Sequence, residues 1–360
     1  MNRIASYFRS IYRNRRQHID KPRYLTFLAT YRCNARCLMC DCWKKPKGKE
    51  LDTYEIENIL QQLPKMDMVR ISGGEPFLRT DLPEIVRIIK RSLKPLFLHI
   101  TTNGLPTERI VRLCLERETD IPLHLLFSID GMKDKHNTIR GIPIAWEKVM
   151  ATLDKLAPWQ KKKNFKIAVN QTIVDAEGVE HHSPLINHLK PYGIPVHAVM
   201  AYESSAIYNL KKNIRLTPFK KGDFNPYGNF SDCQLKILLE EIKRELKDQP
   251  FLQRWAKYYY WNGVYNRLLN GIGNPNPPCV ALTSHLRILP DGQVPTCQFN
   301  SITVGHLNRE SFDSIWNGEK IKKQREWVHS CPGCWAECEV LPNAVYSGDL
   351  FLNWKPLKIS

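Results

Sequence analysis

Tyr24-Leu-Thr-Phe-Leu-Ala29 and, one residue on, Tyr31-Arg-Cys-Asn-Ala-Arg-Cys-Leu-Met-Cys40 decide the fold. The first run is short and apolar and reads as a buried strand. The second places Cys33, Cys37 and Cys40 within eight residues. Three thiolates so spaced can hold three irons of a cubic [4Fe–4S] cluster, and no fourth cysteine stands at an obvious offset to close the last iron. An iron with an open position is a site for chemistry as well as for electron storage. A reactive loop where a strand ends is the arrangement of α/β barrels.

A second stretch, Ile71-Ser-Gly-Gly-Glu-Pro76, follows another apolar run, Met68-Val-Arg-Ile71. Two glycines let backbone carbonyls approach a ligand, a carboxylate meets an ammonium, and proline stiffens the turn. Together, Cys-x3-Cys-x2-Cys and Gly-Gly-Glu-Pro resemble the signature of the radical S-adenosylmethionine (radical SAM) enzymes. The resemblance implies that Cys33, Cys37 and Cys40 carry the catalytic cluster, and that Gly73, Gly74, Glu75 and Pro76 hold the amino group of SAM. Met39 stands where that family usually has an aromatic residue, and would pack on adenine in its place.

Later stretches are similar to the same family in the same order. Thr101-Thr-Asn-Gly104 puts Asn103 in the SAM pocket, and Phe127-Ser-Ile-Asp-Gly131 offers Ser128 or Asp130 to the ribose hydroxyls. His136-Asn-Thr-Ile-Arg-Gly141 offers Arg140 to the methionine carboxylate, a charge-assisted contact, and Asn170 is a further candidate for the pocket. Each of these also reads as a plain turn, since Asn-Gly and Asp-Gly are turn dipeptides in any protein.

Between residues 24 and 200, short apolar runs (24–29, 68–72, 96–101, 123–129, 166–173, 196–200) alternate with amphipathic segments (53–63, 81–91, 107–117, 144–156, 178–190). That alternation predicts an α/β fold with a parallel sheet. The pattern alone allows a doubly wound sheet; the resemblance implies a partial (β/α)6 TIM-type barrel with a smaller C-terminal twitch/SPASM-like cluster-binding domain. The expected divisions are a basic N-terminal segment (1–20), a core barrel (21–202), a helical, aromatic-rich bridge (203–278) and the cluster-binding domain (279–360). Within the bridge, 208–227 is basic and turn-rich, while 231–246 and 250–269 read as helices, the second a core-packing aromatic helix.

The C-terminal part holds a second group of cysteines. Cys279 and Cys297 frame Arg287-Ile-Leu-Pro-Asp-Gly292, a strand and hairpin turn, and Cys331-Pro-Gly-Cys334 and Cys338 follow. The Gly-x4-Cys framework with a distant Cys-x2-Cys resembles the SPASM extension or its shorter twitch form. Five cysteines cannot close two clusters, so one auxiliary [4Fe–4S] cluster is expected on Cys279, Cys297, Cys331 and Cys334, with Cys338 a spare or an alternative. Four such cysteines also suit zinc. Cys42, Cys114 and Cys233 read as packed or surface thiols, although Cys42, so near Cys40, could be a stray ligand.

Eleven cysteines in a chain without a secretory signal pattern argue for metal over disulfides, and the expected location is the cytoplasm. The formal charge of +17 suits an anionic partner, of which nucleic acid ranks lowest for want of an aromatic–basic signature. In residues 1–18, Ile4, Tyr7, Phe8, Ile11 and Tyr12 share one helical face among Arg3, Arg9, Arg13, Arg15 and Arg16. That pattern fits a peripheral helix on the anionic inner face of a membrane, or a helix packed on the barrel. The resemblance implies reductive cleavage of SAM to a 5′-deoxyadenosyl radical, hydrogen abstraction from an unactivated C–H, and a reductant such as flavodoxin or ferredoxin. A small-molecule sugar, a lipid-linked compound and a peptide all remain open as substrate. The rival class is a non-catalytic iron–sulfur or zinc protein on an anionic polymer or membrane.

Overall fold

The computed structural model describes residues 3–45, 48–116, 120–160, 162–202, 226–247, 249 and 251–353. Its centre is a seven-stranded sheet in the order β6-β5-β4-β3-β2-β1-β7. The strands are β1 (Tyr24–Thr30), β2 (Met68–Gly73), β3 (Phe97–Thr102), β4 (Leu123–Ser128), β5 (Phe165–Ile173), β6 (Val196–Met200) and β7 (His285–Ile288). All six neighbouring pairs run parallel. The first six strands match the apolar runs of the sequence to within a residue or two. Helices Thr53–Gln61, Leu82–Leu93, Thr107–Glu116 and Ala145–Leu156 cross between them. The first is closed by a capping box, with Glu55 N–H donating to Asp52 and Asp52 N–H to Glu55.

Alternation along the strands makes this a partial barrel. Leu25, Phe27, Val69, Ile71, Leu98, Ile100, Leu125 and Phe127 are buried in the main apolar core. Arg70, His99, Leu126 and Asn170 point to the other face, which lines two cavities. A doubly wound sheet buries both faces under helices. Here one face is a lumen.

Three features differ from the sequence expectation. The segment around Arg287 does make a tight turn, with Gly292 N–H donating to Leu289 O at 2.9 Å and Gly292 at φ +90°. Its strand, however, pairs with β1, so residues beyond 279 complete the barrel sheet. Helix Lys133–Arg140 has Ile139 as its only aliphatic side chain, so no apolar period announced it; Gly141 at φ +63° ends it. The segment predicted at 178–190 starts earlier, under the Asp175 cap, and forms two pieces, Ala176–Glu180 and His182–Leu189.

The bridge supplies helices Asp232–Leu246 and Phe251–Leu269; its basic, turn-rich stretch at 208–227 lies outside the described residues except for Pro226 and Tyr227. Tyr259, Tyr260, Trp261 and Tyr265 are buried in a second core shared with Ile173, Met200 and Trp335, as expected of a packing helix. The Tyr260 hydroxyl accepts from Met200 N–H at 3.3 Å, so this helix shields the edge strand β6. At Gly263 an added Cβ would lie 1.8 Å from the Trp335 ring. Gly263→Ala, which in an ordinary helix interior gains about 1 kcal/mol, is therefore expected to lower stability by about 2 kcal/mol through overpacking. Thermal unfolding checks it.

The N-terminal helix, Arg3–Arg15, docks on the end of the barrel where the strands begin. It does so through its polar side. Asn14 Nδ2 donates to Ser284 Oγ and Tyr346 O, each at 2.8 Å, and the Tyr7 hydroxyl donates to Val345 O. Ser10 and Ser284 hydroxyls bond to one another at 2.8 Å. No described helix is long and apolar enough to cross a membrane.

Candidate active site at the C-terminal ends of the strands

The loop after β1 has no regular structure of its own and is held from outside. Arg36 N–H donates to Arg140 O and Leu38 N–H to Ile139 O, which ties the loop to the end of helix Lys133–Arg140. Glu75 N–H donates to Arg32 O at 2.9 Å and Gly74 N–H to Thr30 O at 2.7 Å. A Cβ on Gly74 would fall 2.2 Å from Arg32 O, and Gly73 sits at φ +129°. The paired glycines are thus demanded by close passage of the β2 end under the cysteine loop. The sequence reading had assigned them to a ligand.

The three sulfurs lie together with Met39, Ala35 and Leu105. Each accepts a donor: Ala35 N–H to Cys33 Sγ at 3.5 Å, Arg140 Nη1 to Cys37 Sγ at 3.4 Å, and Cys42 N–H to Cys40 Sγ at 3.4 Å. Burial, with a smaller push from the neighbouring sulfurs, holds the Cys33 thiol up at about 11 and the Cys40 thiol up at about 12. Three desolvated sulfurs with N–H donors fit the thiolate corners of a cluster, whose charge such donors stabilise. Cys42 donates its own thiol to Tyr31 O at 3.5 Å, as a packed side chain does.

The motif residues around this loop meet one another more than they meet open space. Glu75 is fully buried. Its Oε1 accepts from Phe77 N–H and Thr102 Oγ1, and its Oε2 from Asn103 N–H at 2.7 Å. The carboxylate expected to meet an ammonium therefore clamps the ends of β2 and β3 together, with Pro76 starting the short turn that carries Phe77. Arg140, expected to meet the methionine carboxylate, reaches Asp130 at 2.7 Å and the Cys37 sulfur. Asp130 also accepts from Thr172 N–H at 3.2 Å. Asn103 Nδ2 donates to Asn34 Oδ1 within the cysteine loop. Ser128 and Asn170 stand opposite each other on β4 and β5. Asn170 lines the cavity below the loop; Ser128 is not among the residues lining it.

Glu75 gives a pH-dependent test. Burial raises its carboxyl from 4.5 to about 7, and the three donors only partly offset that. Between these values the folded chain keeps a proton that the unfolded chain releases. Stability from this group is therefore lost as pH rises through the window, and the loss is complete above about 7. Relative to Glu75→Gln, the wild type is expected to lose on the order of 3 kcal/mol across that window. Denaturant titrations of both proteins at several pH values check it.

The C-terminal cysteines form a second group across the lumen. Cys297 and Cys331 push the buried Cys279 thiol up, and Cys279, Cys297 and Cys331 do the same to Cys334, after the larger effect of burial in each case. Cys338 is different: after burial its neighbours are Glu339, Arg70, Arg287 and the Tyr202 hydroxyl. Cys279, Cys331 and Cys334 thus act electrostatically on one another, Cys297 acts on Cys279 and Cys334, and Cys338 lines the lumen. Gly333, at φ +96°, passes so close to Asn276 that a Cβ would lie 2.4 Å from its Oδ1. Among the described residues, no three His, Cys, Asp or Glu side chains close on one point as a single metal ion requires. One zinc needs four sulfurs about 2.3 Å from a common centre.

Two residues of this region had no signal in the sequence. Burial pushes the Glu339 carboxyl up, but Arg287 at 2.6 Å and His285 outweigh it and hold it at about 2. Glu339 Oε1 also accepts from Gln298 N–H beside Cys297. This network anchors the second cysteine group to β7. A lone glutamate and a lone arginine 52 residues apart carry no pattern to read. Between the two groups lies a chamber of about 240 Å³, walled by Met39, Cys40, Asn170 and Thr172 on one side and by Gln298 and Cys338 on the other.

Comparison with known proteins agrees with this arrangement. Residues 27–170 match the model of the Radical SAM superfamily, and residues 279–338 that of an iron-sulfur cluster-binding domain, SPASM. The AdoMet-dependent heme synthase of Methanosarcina barkeri is 25% identical over 94% of this chain and 98% of its own. The GTP 3′,8-cyclase of Lactiplantibacillus plantarum is 30% identical over 48% of this chain, which spans about half (52%) of that relative's length. Among solved structures, anSMEcpe with bound AdoMet superposes with a TM-score of 0.58 over 86% of this chain and 84% of its own, at 17% identity.

Fold and site define an α/β partial-barrel enzyme with a three-cysteine loop at the mouth of the barrel and a C-terminal iron–sulfur cluster-binding region. Residues 27–170 and 279–338 place the chain in the radical SAM superfamily with a SPASM domain, and the cofactors of those domains are [4Fe–4S] clusters and S-adenosylmethionine.

Proposed function

We propose that this enzyme uses the cluster on Cys33, Cys37 and Cys40 to cleave SAM reductively and to abstract hydrogen from an unactivated C–H of a substrate held in the 240 Å³ chamber. The observation that carries the reading is the chamber's position, with Cys40 on one wall and Gln298 and Cys338, beside the second cysteine group, on the other. When bound, cluster and SAM together supply a 5′-deoxyadenosyl radical. The chain's own residues do the rest. Arg140 braces the cysteine loop against β4, Glu75 fixes the ends of β2 and β3, and the walls position the target carbon and exclude water. One auxiliary cluster on Cys279, Cys297, Cys331 and Cys334 would exchange an electron as the substrate radical resolves, with flavodoxin or ferredoxin as external reductant.

Protein loaded with iron and sulfide without oxygen is expected to release 5′-deoxyadenosine from SAM when dithionite is added; its absence would overturn the reading. Heme synthesis is the second reading, favoured by the alignment along nearly the whole of both chains. A porphyrin product with a shifted Soret band would decide for it.

A further inference from the structure

Below the reaction chamber the barrel holds a second, larger cavity of about 630 Å³, within the usual size of ligand sites. It opens at the end where the strands begin, opposite the cysteine loop. Its walls include Tyr7, Met68, Phe97, Leu341 and Val345. Leu126, at its inner end, stands opposite Thr101, four residues beyond Phe97, so the cavity runs about 13 Å along the strands. Arg70, Leu126, Asn170, Glu337 and Cys338 line both cavities, and the two therefore meet.

The mouth of the lower cavity is marked by Ile4 and Leu96, which line it and yet are 63% and 53% exposed. Ile4 begins a stripe, with Phe8 and Tyr12, along the outer side of helix Arg3–Arg15; Phe8 is 63% and Tyr12 59% exposed. Ser10 and Asn14 are buried and Tyr7 and Ile11 half-buried against the barrel, while Ile4, Phe8 and Tyr12 face outward, an unusual exposure for a docked helix. Exposed Arg3, Arg9, Arg16 and Lys94 surround the stripe, and the helix contains no acidic residue. Exposed apolar side chains ringed by cations fit the interface of an anionic bilayer.

At the inner end, Arg70 Nε is buried without a hydrogen-bond partner. Glu337, a nearby carboxylate, is held by Lys257 at 2.6 Å. Burial keeps His99 and His197 far below their usual range, so they are neutral and do not compete with Arg70 for an anion. A desolvated guanidinium at the end of an apolar tube is matched by an anionic group that trails a hydrocarbon chain.

We propose that the substrate is a single-chain anionic amphiphile drawn from a membrane. Its carboxylate or phosphate end sits at Arg70, beside the reaction chamber, and its chain fills the lower cavity toward the N-terminal helix. The proposal rests on the upper chamber being the reaction site and assigns the class of compound that reaches it.

The test uses the anaerobically loaded full chain, parinaric acid as a fluorescent carboxylate with a long chain, and pelleting with phosphatidylglycerol-rich or phosphatidylcholine vesicles. Binding is expected to saturate and to be displaced by palmitate but not by butyrate. Arg70→Met should weaken it at least about tenfold, and Leu341→Trp should abolish it by filling the cavity. Phe8→Glu, on an exposed site, should cut pelleting with the anionic vesicles severalfold. Absent saturation, butyrate displacing as well as palmitate, or Phe8→Glu pelleting like wild type would each overturn the proposal. The butyrate comparison needs no variant to fold. Release of 5′-deoxyadenosine is followed in the same samples: its loss with normal parinaric acid binding sinks the reaction assignment, and the reverse result sinks this one.

Discussion

Replacing Cys33, Cys37 and Cys40 together by alanine is expected to abolish 5′-deoxyadenosine release and to lower iron from roughly eight atoms per chain to about half that. The expectation follows from how the loop is built. Its three sulfurs lie together and each receives a donor, an arrangement that fits ligation to the positive irons of a cluster. Removing the sulfurs leaves the bracing of Arg36 and Leu38 against helix Lys133–Arg140 in place, since those are backbone bonds. The variant should therefore fold, keep the auxiliary iron and fail only in SAM cleavage. Iron analysis and chromatography of the nucleoside read the two effects separately. Full iron loading with undiminished nucleoside release would show that these thiols do not carry the reaction.

The second large effect is expected at the other end of the lumen. Cys279→Ala with Cys334→Ala should also remove about half the iron, yet leave 5′-deoxyadenosine release intact and stop product formation. Cys338→Ala should retain all the iron, because that thiol lines the chamber beside Arg70, Arg287 and the Tyr202 hydroxyl. Zinc together with four irons per chain would refute a second cluster. Iron lost on replacing Cys338 would move it into the ligand set.

The core of the barrel was readable from periodicity because parallel strands buried against helices carry nearly continuous apolar runs. Strands β1 to β6 were found that way, and so were the helices that cross between them. The strand at Arg287 was visible, but its partner was not. A four-residue strand pairs with whichever edge is open, and only the assembled sheet shows that this edge belongs to β1. Helix Lys133–Arg140 escaped because its buried positions are Lys135, His136 and Arg140 beside Ile139, and polar groups buried by specific bonds leave no hydrophobic period. The site divides in the same way. Cysteine spacing pointed to the candidate ligands Cys33, Cys37 and Cys40, whose sulfurs local chain geometry brings together. The contacts of Glu75 with Thr102 and Asn103 and of Arg140 with Asp130 join separate segments of the chain, so they could not be read from local pattern.

Chemistry that depends on a few residues close along the chain, such as three thiols in one loop, two glycines in one turn and the alternation of strand and helix, was settled by the order of the amino acids. Whatever needed two distant segments to meet was settled by folding. That holds for the seventh strand, the place of Cys338 on the chamber wall, the Glu339–Arg287 anchor, and the apolar cavity that opens beside a helix with Ile4, Phe8 and Tyr12 outward. Local pattern is a property of neighbours in sequence, whereas a cavity and a buried ion pair are properties of surfaces that meet only after the chain has collapsed.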